Sequence, residues 1–149
     1  MACPFFMPVT RLDQNGWIHA PRLPLGDPCA GVCHARPEEL FEPPEPSVQD
    51  LCNCGYAEGR CERFPATSAA DAVRFSVVSA DADTVRLVYI LERRHEPVEH
   101  GTLTYAIRQA GFVDTPPTAI LGAQARAFVT SHLDRRALAT AASGSGSDG

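Results

Sequence analysis

The sequence predicts an α+β protein in which a loop-rich N-terminal cysteine module packs with a three-stranded antiparallel β-meander and a C-terminal α-helix. Residues 1–64 hold all six cysteines and nine of the thirteen prolines. Residues 72–107 contain three segments in which apolar and polar side chains alternate, as they do in half-buried strands. Residues 115–141 carry apolar side chains at helical spacing. We therefore expect a boundary near residue 65, with a cysteine-rich module over 1–65 and the meander and helix over 66–142.

Few helices and strands are predicted in the first part of the chain, because its prolines interrupt them. Asn15-Gly16, between VTRL and WIHA, predicts a small hairpin, since this pair favours a two-residue turn. Short helices are predicted in PEELF and in SVQDLC, the second with a capping box at its start. Cys52 would end the second helix, and Gly55 would follow in the left-handed conformation.

The second part predicts strands in AVRFSVVS, DTVRLVYILERR and GTLTYAI. A turn at ADAD and a polar connection around ERRHEPVEH would join them. The following segment predicts a helix that covers one face of the sheet, with Pro116 and Pro117 at its entry. Its apolar stripe comprises Leu121, Ala125, Phe128, Val129, His132 and Leu133. Residues 143–149 consist of Ser, Gly and Asp, and we expect them to form a flexible tail.

The charge and the missing motifs exclude several classes of protein. The formal net charge of -5 argues against nucleic acid as the main partner, because phosphate binding needs a basic face. All thirteen basic residues are arginine, which excludes a Schiff-base or P-loop lysine and indicates a GC-rich bacterial genome. No apolar stretch matches a signal peptide or the ~20 residues of a membrane span. We therefore expect a cytoplasmic protein without membrane contact.

The segment CNCGYAEGRC, residues 52–61, concentrates three cysteines beside two glycines. Cysteine thiolates bind soft and borderline metals, and both structural zinc and iron–sulfur clusters are commonly held by four of them. Gly55 and Gly59 would let the backbone wrap closely around such a centre. A proline-rich segment of this length also buries little apolar surface and needs a metal or disulfides for stability. The pattern therefore predicts a metal or cluster module.

The predicted ligands come from separate loops, as a centre that staples a loop-rich module requires. The preferred set is Cys3, Cys33, Cys52 and Cys61, with Cys29 and Cys54 as substitutes. His34 is a further candidate ligand. Cys3 precedes a proline, as in ferredoxin-type runs, and six thiols exceed the four that zinc needs. We therefore expect an iron–sulfur cluster, [4Fe–4S], as the cofactor, with zinc as the alternative.

The resulting hypothesis is a small iron–sulfur protein with an electron-transfer, redox or sensing role and a protein partner. The first alternative is a zinc-stapled interaction adaptor without redox chemistry. The second is a small enzyme that uses the His and Glu side chains of residues 92–100. The sequence has no nucleophile, P-loop or dinucleotide motif, so we expect no enzyme. Three disulfides, redox-active thiols or buried spectator cysteines are the competing interpretations of the thiols.

Overall fold

The computed structural model describes residues 2–12, 25, 27–36, 38–65 and 68–145. Two antiparallel sheets, of two and four strands, accompany a long C-terminal helix, which confirms the predicted α+β class. The elements in chain order are β1 (Phe6–Arg11), β2 (Cys29–Cys33), α1 (Glu45–Ser47), a π-helical turn (Val48–Cys52), β3 (Ala72–Ala80), β4 (Thr84–Arg93), β5 (Glu96–Ala106), β6 (Gly111–Phe112) and α2 (Ala119–Ser145).

The small sheet joins β1 to β2, with Phe6 opposite Cys33 and Arg11 opposite Cys29. The register shifts between Pro8 and Thr10, where one extra residue bulges from β1. The predicted Asn15-Gly16 hairpin and its WIHA strand lie outside the described residues. Within the described residues, β1 pairs with β2, a strand that has a cysteine at each end.

Gly31 permits this pairing, because a Cβ at this position would collide with the backbone carbonyl oxygen of Met7 and meet the Phe6 ring at 3.0 Å. We expect Gly31→Ala to lower the free energy of unfolding by about 1–3 kcal/mol, since the two strands would have to separate. Chemical denaturation would measure the change. Gly111→Ala is the matched control, because a Cβ there meets its nearest atom at 3.8 Å. Equal stability of the two variants would contradict this account of the close strand approach.

The larger sheet has the order β3-β4-β5-β6 and corrects the predicted number of strands. β3 and β4 occupy predicted segments, and β5 includes most of the third but begins earlier, at Glu96. Gly111–Phe112 adds a fourth strand opposite Tyr105 and Ala106. The prediction of three strands was therefore wrong. A two-residue strand is too short to show alternation, and its pairing is decided by the turn that precedes it.

The connection between β4 and β5 is a tight turn, not the predicted polar loop. Arg93 pairs with Glu96, so only Arg94 and His95 lie between the strands, and both have positive φ, at 52° and 68°. Positive φ at both central residues is the geometry of a type I′ hairpin turn, which usually selects Asn and Gly. Contacts with other segments stabilise this turn conformation. The Arg94 N–H donates to the Asp71 carboxylate, and the His95 ring stacks on the Tyr56 ring with centroids 4.1 Å apart.

Helix α2 packs its apolar stripe against the sheet, as predicted. Leu121, Ala125 and Val129 are buried, and Phe128 stacks on Phe75 of β3 with ring centroids 5.5 Å apart. The helix begins after the two prolines, where the Thr118 hydroxyl accepts from the Leu121 N–H at 3.0 Å. It ends at Ser145, inside the segment for which a tail was predicted. Within the described ranges, no helix has the length and apolar character needed to cross a membrane.

One hydrophobic core joins the N-terminal segment to the sheet and helix. Ala2 and Val73 exchange two backbone hydrogen bonds of 2.8 Å, so the start of the chain lies along the edge of β3. Ala2, Cys3 and Phe6 share a buried cluster with side chains of β3, β4, β5 and α2. Cys3 thereby packs against the main hydrophobic core.

Candidate metal centre

Four of the six cysteines line a single cavity of about 350 Å³. Cys3 lies in the turn before β1, Cys33 ends β2, Cys52 ends the π-helical turn, and Cys61 follows a tight turn. These four are the preferred ligands of the sequence analysis, and the structure brings them together from separate segments. The two substitutes are not among the side chains that line this cavity. That the four cysteines bind a metal stays a prediction.

Backbone hydrogen bonds hold the four segments in place. The Cys3 N–H donates to the carbonyl oxygen of Cys52 at 3.0 Å. Cys33 pairs with Phe6 across the small sheet, and its N–H donates to the carbonyl oxygen of Phe41 at 2.7 Å. The Cys61 N–H donates to the carbonyl oxygen of Ala57 at 2.8 Å. The backbones of Cys3, Cys33 and Cys52 are therefore bonded to other segments of the site, while that of Cys61 is held by a turn within its own segment.

The segment before Cys52 is helical, but not in the predicted way. Residues 48–52 form a π-helical turn, a rare geometry that often occurs at functional sites. Ser47 has helical angles and makes no capping hydrogen bond, so the predicted capping box was wrong. Cys52 ends the turn, and Gly55 follows with φ 75°, both as predicted. The helix predicted in PEELF was also wrong, because Phe41 forms a β-bridge with Cys33 instead.

Asn53 ties two cysteine segments together through a buried amide. Its side-chain oxygen accepts from the Cys29 N–H at 3.0 Å, and its Nδ2 donates to the carbonyl oxygens of Cys29 at 2.9 Å and Val48 at 3.0 Å. The residue is only 1% exposed. Sequence reasoning missed this role, because an asparagine between two cysteines also suits an exposed turn.

Gln124 holds the Cys3 turn from the opposite side. Its side chain is fully buried, and its Nε2 donates to the carbonyl oxygens of Cys3 and Phe6, both at 2.7 Å. A signal for this role was available in the sequence, because Gln124 interrupts the apolar stripe of α2 between Leu121 and Ala125. A polar side chain at such a position must find buried partners.

The substitute cysteines are engaged elsewhere. The Cys29 thiol lies 3.6 Å from the carbonyl oxygen of Asp27, and the Cys54 thiol donates to the carbonyl oxygen of Gln49 at 3.2 Å. His34 does not line the cavity, although its N–H donates to the carbonyl oxygen of Phe5 at 2.8 Å. All six cysteines lie in the described part of the chain, and all six are free thiols.

The walls between the four thiols are mostly apolar. Phe5 and Phe64 pack edge to face with ring centroids 5.5 Å apart, and the other large apolar side chains are Phe6, Phe41 and Leu51. Among the described residues, the charged side chains that line the cavity are those of Arg60, Glu62 and Arg63, which are neighbours of Cys61 in the chain. The cavity therefore has an apolar interior and a charged edge.

Arg63 is fixed at this edge by two contacts. Its Cζ lies 4.2 Å from the centroid of the Phe41 ring, and its Nη2 donates to the carbonyl oxygen of Glu39 at 3.0 Å. Its Nε is buried and has no hydrogen-bond partner among the described residues. A buried charged donor without an acceptor is uncommon in folded proteins and calls for a physical explanation.

Burial and mutual proximity keep the inner thiols protonated. Burial, followed by the charges of Cys33 and Cys61, raises the pKa of Cys3 to about 12. Burial likewise raises the pKa of Cys52, followed by the effects of Cys3, Cys33 and Cys61. These four thiols are thus close enough to repel one another once ionised. A bound cation would reverse this preference, because it stabilises thiolates.

The His and Glu segment of residues 92–100 does not form a comparable group. Glu92 is 5% exposed; one carboxylate oxygen accepts from the Tyr56 hydroxyl at 2.6 Å and the other pairs with Arg74 at 2.8 Å. The first oxygen thus links β4 to the loop after Cys54, and the second links it to the neighbouring strand β3. Residues 94–100 are exposed along the turn and the start of β5.

No family model, curated protein or solved structure matches this chain. Across the described ranges, no group of three or more His, Cys, Asp or Glu side chains is arranged to hold a metal ion.

Proposed function

We propose that the chain is a small iron–sulfur protein in which Cys3, Cys33, Cys52 and Cys61 hold a [4Fe–4S] cluster. The observation that carries the proposal is the convergence of these four thiols on one cavity from four separate segments. Four cysteine sulfurs are the usual ligand set of such a cluster. When bound, the cluster would supply one-electron redox chemistry, and the chain would supply ligands, shielding and charge.

The size of the site supports a cluster over a single ion. Zinc binds sulfur at about 2.3 Å, so four thiolates around one zinc must lie in close mutual contact. The cysteines share a cavity of about 350 Å³ but do not form a compact group of that kind. A cluster places several metal and sulfide atoms between its ligands and therefore needs a wider arrangement. The zinc-stapled adaptor remains the second candidate, since the same four thiols could close around zinc.

The lining supports an electron-transfer or redox-sensing role. Phe5, Phe41 and Phe64 would exclude water from most of the centre, which protects a cluster and tunes its potential. Cys61 also borders a second cavity, of about 380 Å³, beside exposed Gly59 and Arg60. One edge of the centre would thus lie near solvent, where a partner redox protein could exchange an electron. Six free thiols are in keeping with a cytoplasmic location, which forms part of this proposal.

An absorption spectrum of the full chain, purified without oxygen, tests the proposal when iron, acid-labile sulfide and zinc are assayed in the same sample. We expect a brown protein that contains iron and sulfide in equal amounts, close to four of each per chain. A colourless protein with one zinc per chain would establish the adaptor instead. A protein without either metal, even after anaerobic reconstitution with iron and sulfide, would contradict both.

A further inference from the structure

Two ligands of the proposed cluster, Cys3 and Cys52, are joined directly through their backbones. The Cys3 N–H donates to the carbonyl oxygen of Cys52 at 3.0 Å, and both side chains line the four-thiol cavity. Residues that share a backbone hydrogen bond across two segments have Cα atoms about 5–6 Å apart, as in an antiparallel ladder. This separation lies within the range of about 4.4–6.8 Å that a disulfide spans. After burial, the charge of Cys3 has the largest effect on the pKa of Cys52, so the two side chains are also close.

The other two thiols of the cavity lack such a connection. Cys33 pairs with Phe6 across the small sheet, and the Cys61 N–H is bonded to Ala57 within its own segment. In the described part of the chain, neither cysteine shares a backbone hydrogen bond with another cysteine. The two substitute cysteines lie outside the lining of the cavity. The geometry therefore favours one pair among the six thiols.

We propose that Cys3 and Cys52 form a reversible disulfide when the centre is empty, and that this disulfide blocks cluster binding until it is reduced. The inference rests on the cluster proposed above, because it assigns a regulatory step to the same site. The disulfide occupies two of the four ligands, so a chain holds either the cluster or the disulfide. It also protects both sulfurs from oxidation to sulfinic and sulfonic acids, which is largely irreversible.

The oxidant in this step is a small-molecule disulfide such as oxidised glutathione. The thiolate of Cys52, which is less buried than Cys3, attacks one glutathione sulfur, breaks the S–S bond and releases one glutathione thiolate. The Cys3 thiolate then attacks the Cys52 sulfur of this mixed disulfide and releases the second glutathione. The two protons of the protein thiols pass to the two glutathione thiolates. Two electrons thus move from the protein to glutathione, and the reverse exchange restores both ligands.

Disulfide mapping of the metal-free, full-length protein tests the pair. The chain is equilibrated with oxidised glutathione in the absence of oxygen, its remaining thiols are alkylated, and the unreduced peptides are sequenced by mass-spectrometric fragmentation. We expect a disulfide that joins Cys3 to Cys52, with the other four cysteines alkylated. Cys52→Ser should lower the fraction of chains that contain a disulfide at least about tenfold. Cys61→Ser is the matched control from the same cavity and should change this fraction by less than about twofold.

The same treatment of cluster-loaded protein, with iron and sulfide assayed in each sample, tests whether the cluster and the disulfide exclude each other. We expect at least about tenfold less disulfide than in the metal-free protein, because both sulfurs are then ligands. Chains that contain the disulfide and also keep their full iron content would overturn the exclusion.

The outcomes separate this inference from the proposed function. A dominant disulfide between any other two cysteines, or the absence of a disulfide, overturns the inference and leaves the proposed function standing. Reduced wild-type protein that takes up no cluster overturns the proposed function and the regulatory step, while the mapping still decides whether Cys3 and Cys52 pair. The mapping needs only the wild type, so it decides the question even if Cys52→Ser does not fold.

Discussion

Replacing Cys61 by serine is expected to lower the iron and sulfide content per chain at least about tenfold, whereas Cys54→Ser should retain both. Cys61 lines the four-thiol cavity, while the Cys54 thiol is bonded to the Gln49 carbonyl oxygen outside it. Changes around a metal ligand commonly reduce affinity by about 10–100-fold, and loss of the ligand itself should reduce it at least as much. Cys54 and Cys61 lie in one short segment. A substitution that only disturbs the fold of this segment would therefore lower the metal content of both variants.

Iron, sulfide and zinc assays on anaerobically purified variants would measure this effect, with circular dichroism as a check of folding. Cys29→Ser provides a further control, because its thiol lies near Asp27 and away from the cavity. Equal metal loss in Cys61→Ser and Cys54→Ser would refute the assigned ligand set. Undiminished iron in Cys61→Ser would also refute it.

Gln124→Leu is expected to lower the free energy of unfolding of the metal-free protein by about 1–3 kcal/mol. The substitution removes the side-chain donor from the buried carbonyl oxygens of Cys3 and Phe6, but the Cys3 oxygen still accepts from the Phe6 N–H at 3.1 Å. A buried acceptor that loses its partner costs about 1–3 kcal/mol, and this cost applies to the Phe6 oxygen. Since the Cys3 turn would then loosen, the Cys3 thiol should also react faster with an alkylating reagent.

Urea denaturation and mass-spectrometric alkylation would measure these two consequences. Gln109→Leu is the matched control, because Gln109 is exposed in the turn before β6 and its replacement should change stability by less than about 0.5 kcal/mol. Similar stabilities for the two glutamine variants would show that the buried amide does not hold the turn. If Gln124→Leu is destabilised but its Cys3 thiol reacts at the wild-type rate, the amide stabilises the fold without fixing the position of Cys3.

The strands and the helix of the second half could be predicted because the spacing of their apolar residues in the sequence follows which side chains are buried. Val73 and Phe75 of β3 point into the core while Arg74 and Ser76 are exposed, and this alternation is visible in the sequence. The Arg94–His95 turn could not be predicted in this way, because its backbone angles depend on Asp71 and Tyr56, which are distant in the chain.

The cysteines of the candidate site could be predicted from the sequence, whereas most of the contacts that position them could not. The density of thiols among prolines predicts a metal centre, and the structure brings four of these thiols to one cavity. The amides that position the thiols give no comparable signal. Asn53 acts on Cys29, which is 24 positions earlier, and Gln124 acts on Cys3, which is 121 positions earlier. Hydrogen bonds between such distant residues depend on the tertiary structure. The spacing of residues in α2 could therefore indicate only that Gln124 needs a buried partner, not which one.

The long separation between Cys3 and Gln124 constrains the order of events during biosynthesis. Of the four cysteines that line the cavity, Cys3 is translated first, and the glutamine that holds its turn is translated 121 positions later. Contacts between such distant positions form late, because the intervening chain must be ordered first. The four-thiol cavity would therefore stay incomplete until α2 has been translated. Until then its thiols would be exposed and would need a reducing environment.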